Sequence, residues 1–132
     1  MLHPTDGMEK PFDIRDRSFL FALDVVKFAK MLADRDWIMS RLATQLVDSG
    51  GSVGANLQEA EGGQSKPDFS TKNCTALKEA REAHFWLRLI AAAEPSLESK
   101  AAPLISESGE LIAIVYTIVK NARNSDSRGR EL

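Results

Sequence analysis

The chain has 132 residues, of which 43% are hydrophobic and 27% charged, and its formal net charge is −2. These values are typical of one ordinary globular domain, and they exclude a general electrostatic attraction to nucleic acid or to anionic membranes. The single cysteine excludes an internal disulfide and fits a reducing compartment. The first eleven residues are polar and do not resemble a secretory signal, so we expect a cytoplasmic protein.

The first part of the chain predicts an arm followed by a helix. Residues 1–13 contain two prolines and a glycine and show little periodicity, which favours a flexible arm. Apolar residues then recur at helical spacing over residues 15–33, and Phe19, Leu23 and Val26 make the apolar surface unusually broad. Three charged residues interrupt the most apolar part of this run, residues 19–33, so we do not expect it to span a membrane.

A second helix is predicted over residues 37–61, with Asp36 as its N-cap. Three glycines, at positions 50, 51 and 54, lie in its middle, and each costs about 1 kcal/mol relative to alanine inside a helix. Either the helix bends or breaks there, or the small residues allow a neighbouring helix to approach closely. The composition alone leaves both alternatives open.

Polar residues occur within the apolar stripe of this second helix. Gln45, Ser49 and Asn56 fall on the same face as Ile38 and Leu42. Because buried polar groups must be paired, we predict that these three form a small interhelical network that fixes the register of the bundle. The alternative is a hydrated groove or a surface for a partner.

The third helix carries two apolar faces. Ser65 and Pro67 indicate its start, and Glu94 marks its end. One apolar stripe suits the core of the bundle. The second comprises Phe85, Trp86 and Leu89 on the other side. A helix in a monomeric bundle needs a single stripe, so we predict that this second face is an oligomer interface.

A fourth helix completes the predicted fold. Ser96 or Ser99 is the expected cap, Pro103 is expected in or before the first turn, and the apolar periodicity continues to about residue 124. Residues 125–132 are charged and predicted to be a disordered tail. The pattern therefore predicts an all-α domain over residues 14–124, an antiparallel up-down-up-down four-helix bundle.

The sequence offers little for catalysis or metal binding. A di-metal site in a bundle needs inward glutamates and Glu-x-x-His pairs, but Arg81 stands three positions before His84. Cys74 has no histidine at helical spacing, and Glu79 and Glu82 fit surface ion pairs better than paired catalytic carboxylates. We expect no catalytic residue, metal, cofactor or small-molecule substrate, and we interpret His84 as a packed, hydrogen-bonded residue.

Basic residues are unevenly distributed and suggest a nucleic-acid surface. The first helix has four basic and two acidic residues, and the third carries two basic residues beside its second apolar face. Such residues bind phosphates in a salt-dependent manner, although a charged run is also typical of a solvated face. The candidate nucleic-acid residues are Arg15, Arg17, Lys27, Lys30, Lys78 and Arg81.

An ordered set of residues across the second and third helices resembles a known family. The set is Arg41, Gln45, Leu46, Ser49, Ser52, Val53, Asn56, Leu57, Glu59 and Ala60, then Asp68 and Phe69, then Ala76 to Ala80, Glu82 and Phe85 to Leu87. It is similar to the bacterial four-helix-bundle proteins of intervening sequences in 23S ribosomal RNA genes. The resemblance implies small cytoplasmic bundles that assemble as ring-like homopentamers. The resemblance extends to a related branch, the accessory proteins of diversity-generating retroelements, and it therefore implies binding of reverse transcriptase and nucleic acid through a basic surface.

Together these patterns favour a non-enzymatic homo-oligomer, a pentamer by resemblance, that serves as a scaffold for RNA or a ribonucleoprotein partner. The alternative is a purely structural or protein-binding module without affinity for nucleic acid.

Overall fold

The computed structural model describes residues 13–62 and 65–131, with side chains up to residue 125. It contains four α-helices: α1 (Ile14–Ala33), α2 (Trp37–Glu61), α3 (Lys66–Ala93) and α4 (Glu98–Glu131). A short 3₁₀ turn, Pro95–Leu97, precedes α4, and no strand occurs in the described residues. The predicted all-α class with four helices is confirmed. The predicted arm lies outside the described residues except for Asp13.

The first three helices begin at side-chain caps. The Asp36 carboxylate accepts a hydrogen bond from the Met39 amide at 2.9 Å, and Ser65 Oγ accepts one from the Asp68 amide at 3.2 Å. Both caps were predicted. The sequence did not point to Asp13, whose carboxylate accepts from the Arg15 amide at 2.8 Å and so caps α1. Each cap satisfies an amide that has no partner within its helix.

The start of α4 differs from the prediction. Neither serine caps it: Ser96 lies in the 3₁₀ turn and Ser99 is the second residue of the helix. Pro103 lies inside α4, beyond its first turn. A 3₁₀ turn forms before α4 instead, because the Leu97 amide donates to the Glu94 carbonyl and the Leu97 side chain is buried. The helix then continues to Glu131, beyond the end predicted near residue 124.

The glycine-rich middle of α2 is continuous helix that closely approaches α1. A Cβ at Gly50 would lie 3.0 Å from Cγ1 of Val25, and one at Gly54 would lie 3.2 Å from Oγ of Ser18. A Cβ at Gly51 would meet no atom within 4 Å. The structure therefore decides between the two alternatives in favour of close approach.

The four helices surround two apolar clusters. Each helix packs against the next one in sequence and α1 also packs against α4, whereas no Cα atoms of α1 and α3 lie within 8 Å of each other among the described residues. Helices α1 and α3 therefore occupy opposite corners. The larger cluster includes Phe21, Val25, Phe28, Leu32, Leu46, Leu87, Ile90, Leu97 and Leu111, and the smaller one Val53, Leu57, Ala76, Leu77, Ala80, Val115 and Val119.

One stretch, Pro95–Ser125, contains an 18-residue window with a mean hydropathy of 1.4, so it is long and apolar enough to cross a membrane. This criterion uses only length and composition, which a core helix of a bundle also satisfies. Leu104, Leu111 and Val115 of this stretch are buried in the bundle. The apolar residues of α4 thus contribute to the bundle core.

A basic cleft and an apolar groove between the third and fourth helices

A small cleft between α3 and the second half of α4 concentrates positive charge. It has a volume of about 250 Å³ and is lined by Leu77, Arg81, Tyr116, Val119, Lys120, Arg123 and Asn124. We call this the basic cleft. Three of its seven lining residues are cations and none is an acid. A cleft of this kind attracts anionic groups, phosphates in particular.

The interior of the basic cleft is partly apolar and carries an accessible aromatic ring. Leu77 and Val119 are buried, whereas the Tyr116 side chain is 50% exposed. Arg123 Nη2 donates to the Cys74 thiol at 3.6 Å, which holds the guanidinium against α3. The cleft therefore combines cations with a flat ring, the two elements that proteins use to bind single nucleic-acid strands.

A larger apolar groove lies further along the same two helices. It has a volume of about 820 Å³, and its lining includes Phe85, Leu89, Pro95, Ala102 and Ile105, with the charged Arg88 and Glu98. Phe85 is 53% exposed and Leu89 is 40% exposed. Large apolar side chains grouped on a surface mark sites of interaction.

The predicted oligomer interface corresponds only in part to this apolar groove. Phe85 and Leu89 line it, but Trp86 is partly buried and packs against the larger core cluster. Trp86 Nε1 donates to Glu82 at 3.3 Å, and its ring meets Phe85 edge-on with centroids 5.2 Å apart. Trp86 thus supports Phe85 from behind. The role of Phe85, Trp86 and Leu89 in assembly remains a prediction.

The structure does not gather the six predicted nucleic-acid residues into one strip. Arg17 Nε donates to Glu107 at 3.2 Å, and this hydrogen bond is the main cause that raises the pKa of Arg17. Arg15 Nη2 donates to Asp13 at 2.8 Å. Carboxylates therefore hold both arginines of α1. Lys27 and Lys30 are exposed, but they lie on α1, whose backbone does not approach that of α3 within the described chain.

The two basic residues predicted on α3 lie at or near the basic cleft. Arg81 lines it, and Lys78 is exposed three positions earlier on the same helix. Tyr116, Lys120 and Arg123 of α4 were not among the predicted site residues. A signal for them was present, since positions 116, 120 and 123 have the i, i+4, i+7 spacing that places them on one helix face.

The predicted interhelical polar network of Gln45, Ser49 and Asn56 is wrong. Ser49 Oγ donates to the Gln45 carbonyl at 3.0 Å and Asn56 Nδ2 donates to the Ser52 carbonyl at 2.8 Å, so both side chains bond within their own helix. The Gln45 side chain is exposed. Serine and asparagine can satisfy themselves against the preceding helical turn, which removes the need for a partner on another helix.

An interhelical polar contact occurs instead between α3 and α4. His84 Nδ1 lies 2.8 Å from Oγ of the fully buried Ser108, whose hydroxyl also lies 3.0 Å from the Ile105 carbonyl. This is the packed, hydrogen-bonded role predicted for His84. Among the described residues, no cluster of three or more histidine, cysteine or acidic side chains is arranged to hold a metal ion.

Comparison with known proteins relates the chain to others of the same fold. A crystal structure at 1.70 Å of a protein of unknown function from Bacteroides thetaiotaomicron VPI-5482, of the S23 ribosomal protein family, superposes with a TM-score of 0.75. The two are 33% identical, and the match covers 82% of this chain and 99% of the other. A comparison with curated proteins finds no significant match.

A family model gives the same relationship from sequence. The model for the 23S rRNA-intervening sequence protein family matches residues 10–117, which include α1, α2, α3 and the first half of α4. The match covers most of the chain, and it confirms the resemblance stated above. The chain belongs to the 23S rRNA-intervening sequence protein family.

Proposed function

We propose that the protein is a non-enzymatic, homo-oligomeric scaffold that engages RNA or a ribonucleoprotein partner in the cytoplasm. The observation that carries this proposal is the basic cleft, whose lining has three cations and no acid, beside an exposed apolar groove on the same two helices. The cleft supplies attraction for phosphate, and the groove supplies a surface for assembly.

The proposed architecture is the antiparallel up-down-up-down bundle. Its support comes from the α1–α2 contacts, where Gly50 approaches Val25 and Gly54 approaches Ser18. Residue numbers therefore rise along α2 as they fall along α1. The connection from α1 to α2 is only three residues long, as is usual between antiparallel neighbours.

The proposal of self-assembly rests on apolar residues at two opposite corners of the bundle. Phe85 and Leu89 are exposed on α3, and Phe19 and Val26 are exposed on α1. Since the backbones of these helices do not approach each other within the described chain, one copy can contact two others at once. Such a head-to-tail interface generates a ring when the rotation closes. Five subunits is the number that the family resemblance implies.

The assembly proposal is tested by mixing two variants. We expect Phe85→Glu and Phe19→Glu each to dissociate the oligomer, because each places a charge in one half of an apolar interface. Each variant keeps the other half intact, so an equimolar mixture should form a heterodimer and stop there. Light scattering after size-exclusion chromatography measures these masses against the 14.5 kDa subunit. An unchanged mass for both variants would contradict the proposed interface.

The RNA proposal is tested by anisotropy of labelled structured RNA and DNA, at low and near-physiological salt. We expect binding that weakens steeply with salt, and a loss of at least tenfold in Lys120→Glu or Arg123→Glu. Lys100→Glu is the matched control, since Lys100 is exposed on the same helix but does not line the cleft. Equal losses in all three variants would point to general charge and away from the cleft.

The second candidate is a structural or protein-binding module without affinity for nucleic acid. The net charge of −2 and the size of the apolar groove favour it. Absence of binding to either nucleic acid at low salt would support this candidate and overturn the RNA proposal.

A further inference from the structure

We infer that the basic cleft holds one unpaired nucleotide of a single-stranded RNA, with its base stacked on Tyr116 and its phosphate bound by Lys120 and Arg123. The inference rests on the proposed function, which supplies the RNA, and it specifies the form of RNA that the cleft selects.

The Tyr116 ring lies beside cations in the basic cleft. Tyr116, Lys120 and Arg123 follow one another on α4 and all line the cleft. The rise of an α-helix separates the first from the last by about 10 Å along the axis. Arg81 closes the cleft from α3. A base on the ring is therefore within reach of cations that can bind the phosphate attached to it.

The cations of the basic cleft are available to bind a phosphate. None of the ion pairs among the described side chains engages Arg81, Lys120 or Arg123. The described contact of Arg123 is with the Cys74 thiol, a weak acceptor that does not neutralise the charge. Arg17, in contrast, is held by Glu107 and Glu110. The positive charge of the cleft is thus directed to an external anion.

The Tyr116 ring is exposed enough to contact a base. Half of Tyr116 is accessible, although Leu77 and Val119 beneath the cleft are buried. Stacking on an aromatic side chain requires a base that is not already stacked and paired in a helix. The cleft volume, about 250 Å³, is below the range of roughly 300–1,000 Å³ that encloses whole drug-sized ligands, so a single base is a suitable occupant.

The test compares a labelled decauridylate with a fully paired RNA duplex of ten base pairs, by anisotropy with the full-length protein. We expect the single strand to bind more tightly. Tyr116→Ala should weaken binding of the single strand by about 5- to 100-fold and change binding of the duplex by less than about twofold. Tyr116→Phe is the matched control and should retain single-strand binding within about twofold, because it keeps the ring. Circular dichroism melting verifies that both variants fold.

Two results separate this inference from the function on which it rests. If wild-type protein binds RNA but Tyr116→Ala binds the single strand equally well, or if the duplex binds as tightly as the single strand, the nucleotide site is wrong and the proposed function stands. If the wild-type protein binds neither RNA at low salt, the proposed function is overturned and this inference with it.

Discussion

The seam between α1 and α2 is closed by glycines, whereas the seam between α3 and α4 is bordered by two surface recesses. In the first pair, glycines at positions 50 and 54 bring the backbone of α2 against the side chains of Val25 and Ser18. In the second pair, the helices leave the apolar groove and the basic cleft between them. The same bundle thus has one seam at which small residues allow close approach and another that is flanked by recesses.

The difference follows from the size of the side chains at each seam. Glycine lacks a Cβ, so a neighbouring helix can approach until its side chains meet the backbone. Along the outer edge of α3 and α4, Phe85, Arg88 and Tyr116 are large and exposed, and they line the groove or the cleft. The helix pair with these large exposed side chains is therefore the one that carries both recesses.

The largest expected effect comes from filling the closed seam. Gly50→Leu should lower the free energy of unfolding by about 2–3 kcal/mol, because even a Cβ would lie 3.0 Å from Val25 and leucine adds three further carbons. Gly51→Leu is the control, since a Cβ there meets nothing within 4 Å and gains helix propensity. Urea denaturation at a fixed protein concentration measures the free energy of unfolding of both variants. Equal stability of the two variants would show that the seam is not tight.

A smaller effect is expected at the polar contact that bridges α3 and α4. Ser108→Ala removes the hydroxyl beside His84 Nδ1 and should cost about 1 kcal/mol, since Ser108 is fully buried. Ser125→Ala, exposed on α4 and outside both the groove and the cleft, is the control and should be nearly neutral. Urea denaturation measures the free energy of unfolding of both variants. A loss below about 0.3 kcal/mol for Ser108→Ala would mean that the contact contributes nothing to this seam.

The features that could be predicted correctly from the sequence each depend on a single helix. The caps at Asp36 and Ser65 and the exposed second face of α3 could be read from composition and spacing because they are local properties. The basic cleft was missed because Arg81 is on α3 and Lys120 is on α4. Their approach depends on how each helix is rotated about its axis, which the spacing within a helix does not determine.

Two errors at single helices have physical causes of their own. The predicted network of Gln45, Ser49 and Asn56 assumed that polar residues on a core-facing stripe need partners on another helix. Ser49 and Asn56 bond instead to carbonyls one turn earlier. The start of α4 was misplaced because burial of Leu97 in the 3₁₀ turn outweighs the capping preference of the neighbouring serines.

The smallest expected effect concerns charge on the edge of α3 away from the basic cleft. Burial, followed by the negative charge of Glu82, raises the pKa of Glu79, and Asp48 adds to this while Lys78 opposes it. Because the folded-state pKa is above the unfolded one, ionised Glu79 destabilises the fold. Its cost is absent below the ordinary carboxyl pKa, grows as pH rises through the folded value, and is constant above it.

Removal of that charge should therefore stabilise the protein only where Glu79 is ionised. Glu79→Gln should raise the melting temperature by about 1–2 °C at pH 7, and the gain should disappear near pH 4. Thermal melts of both proteins across this range measure the difference, and their other titrating groups cancel. A gain that persists at pH 4 would assign the effect to packing of the side chain. A gain confined to neutral pH would show that the folded protein disfavours ionised Glu79, first through burial of its carboxylate and second through the charge of Glu82.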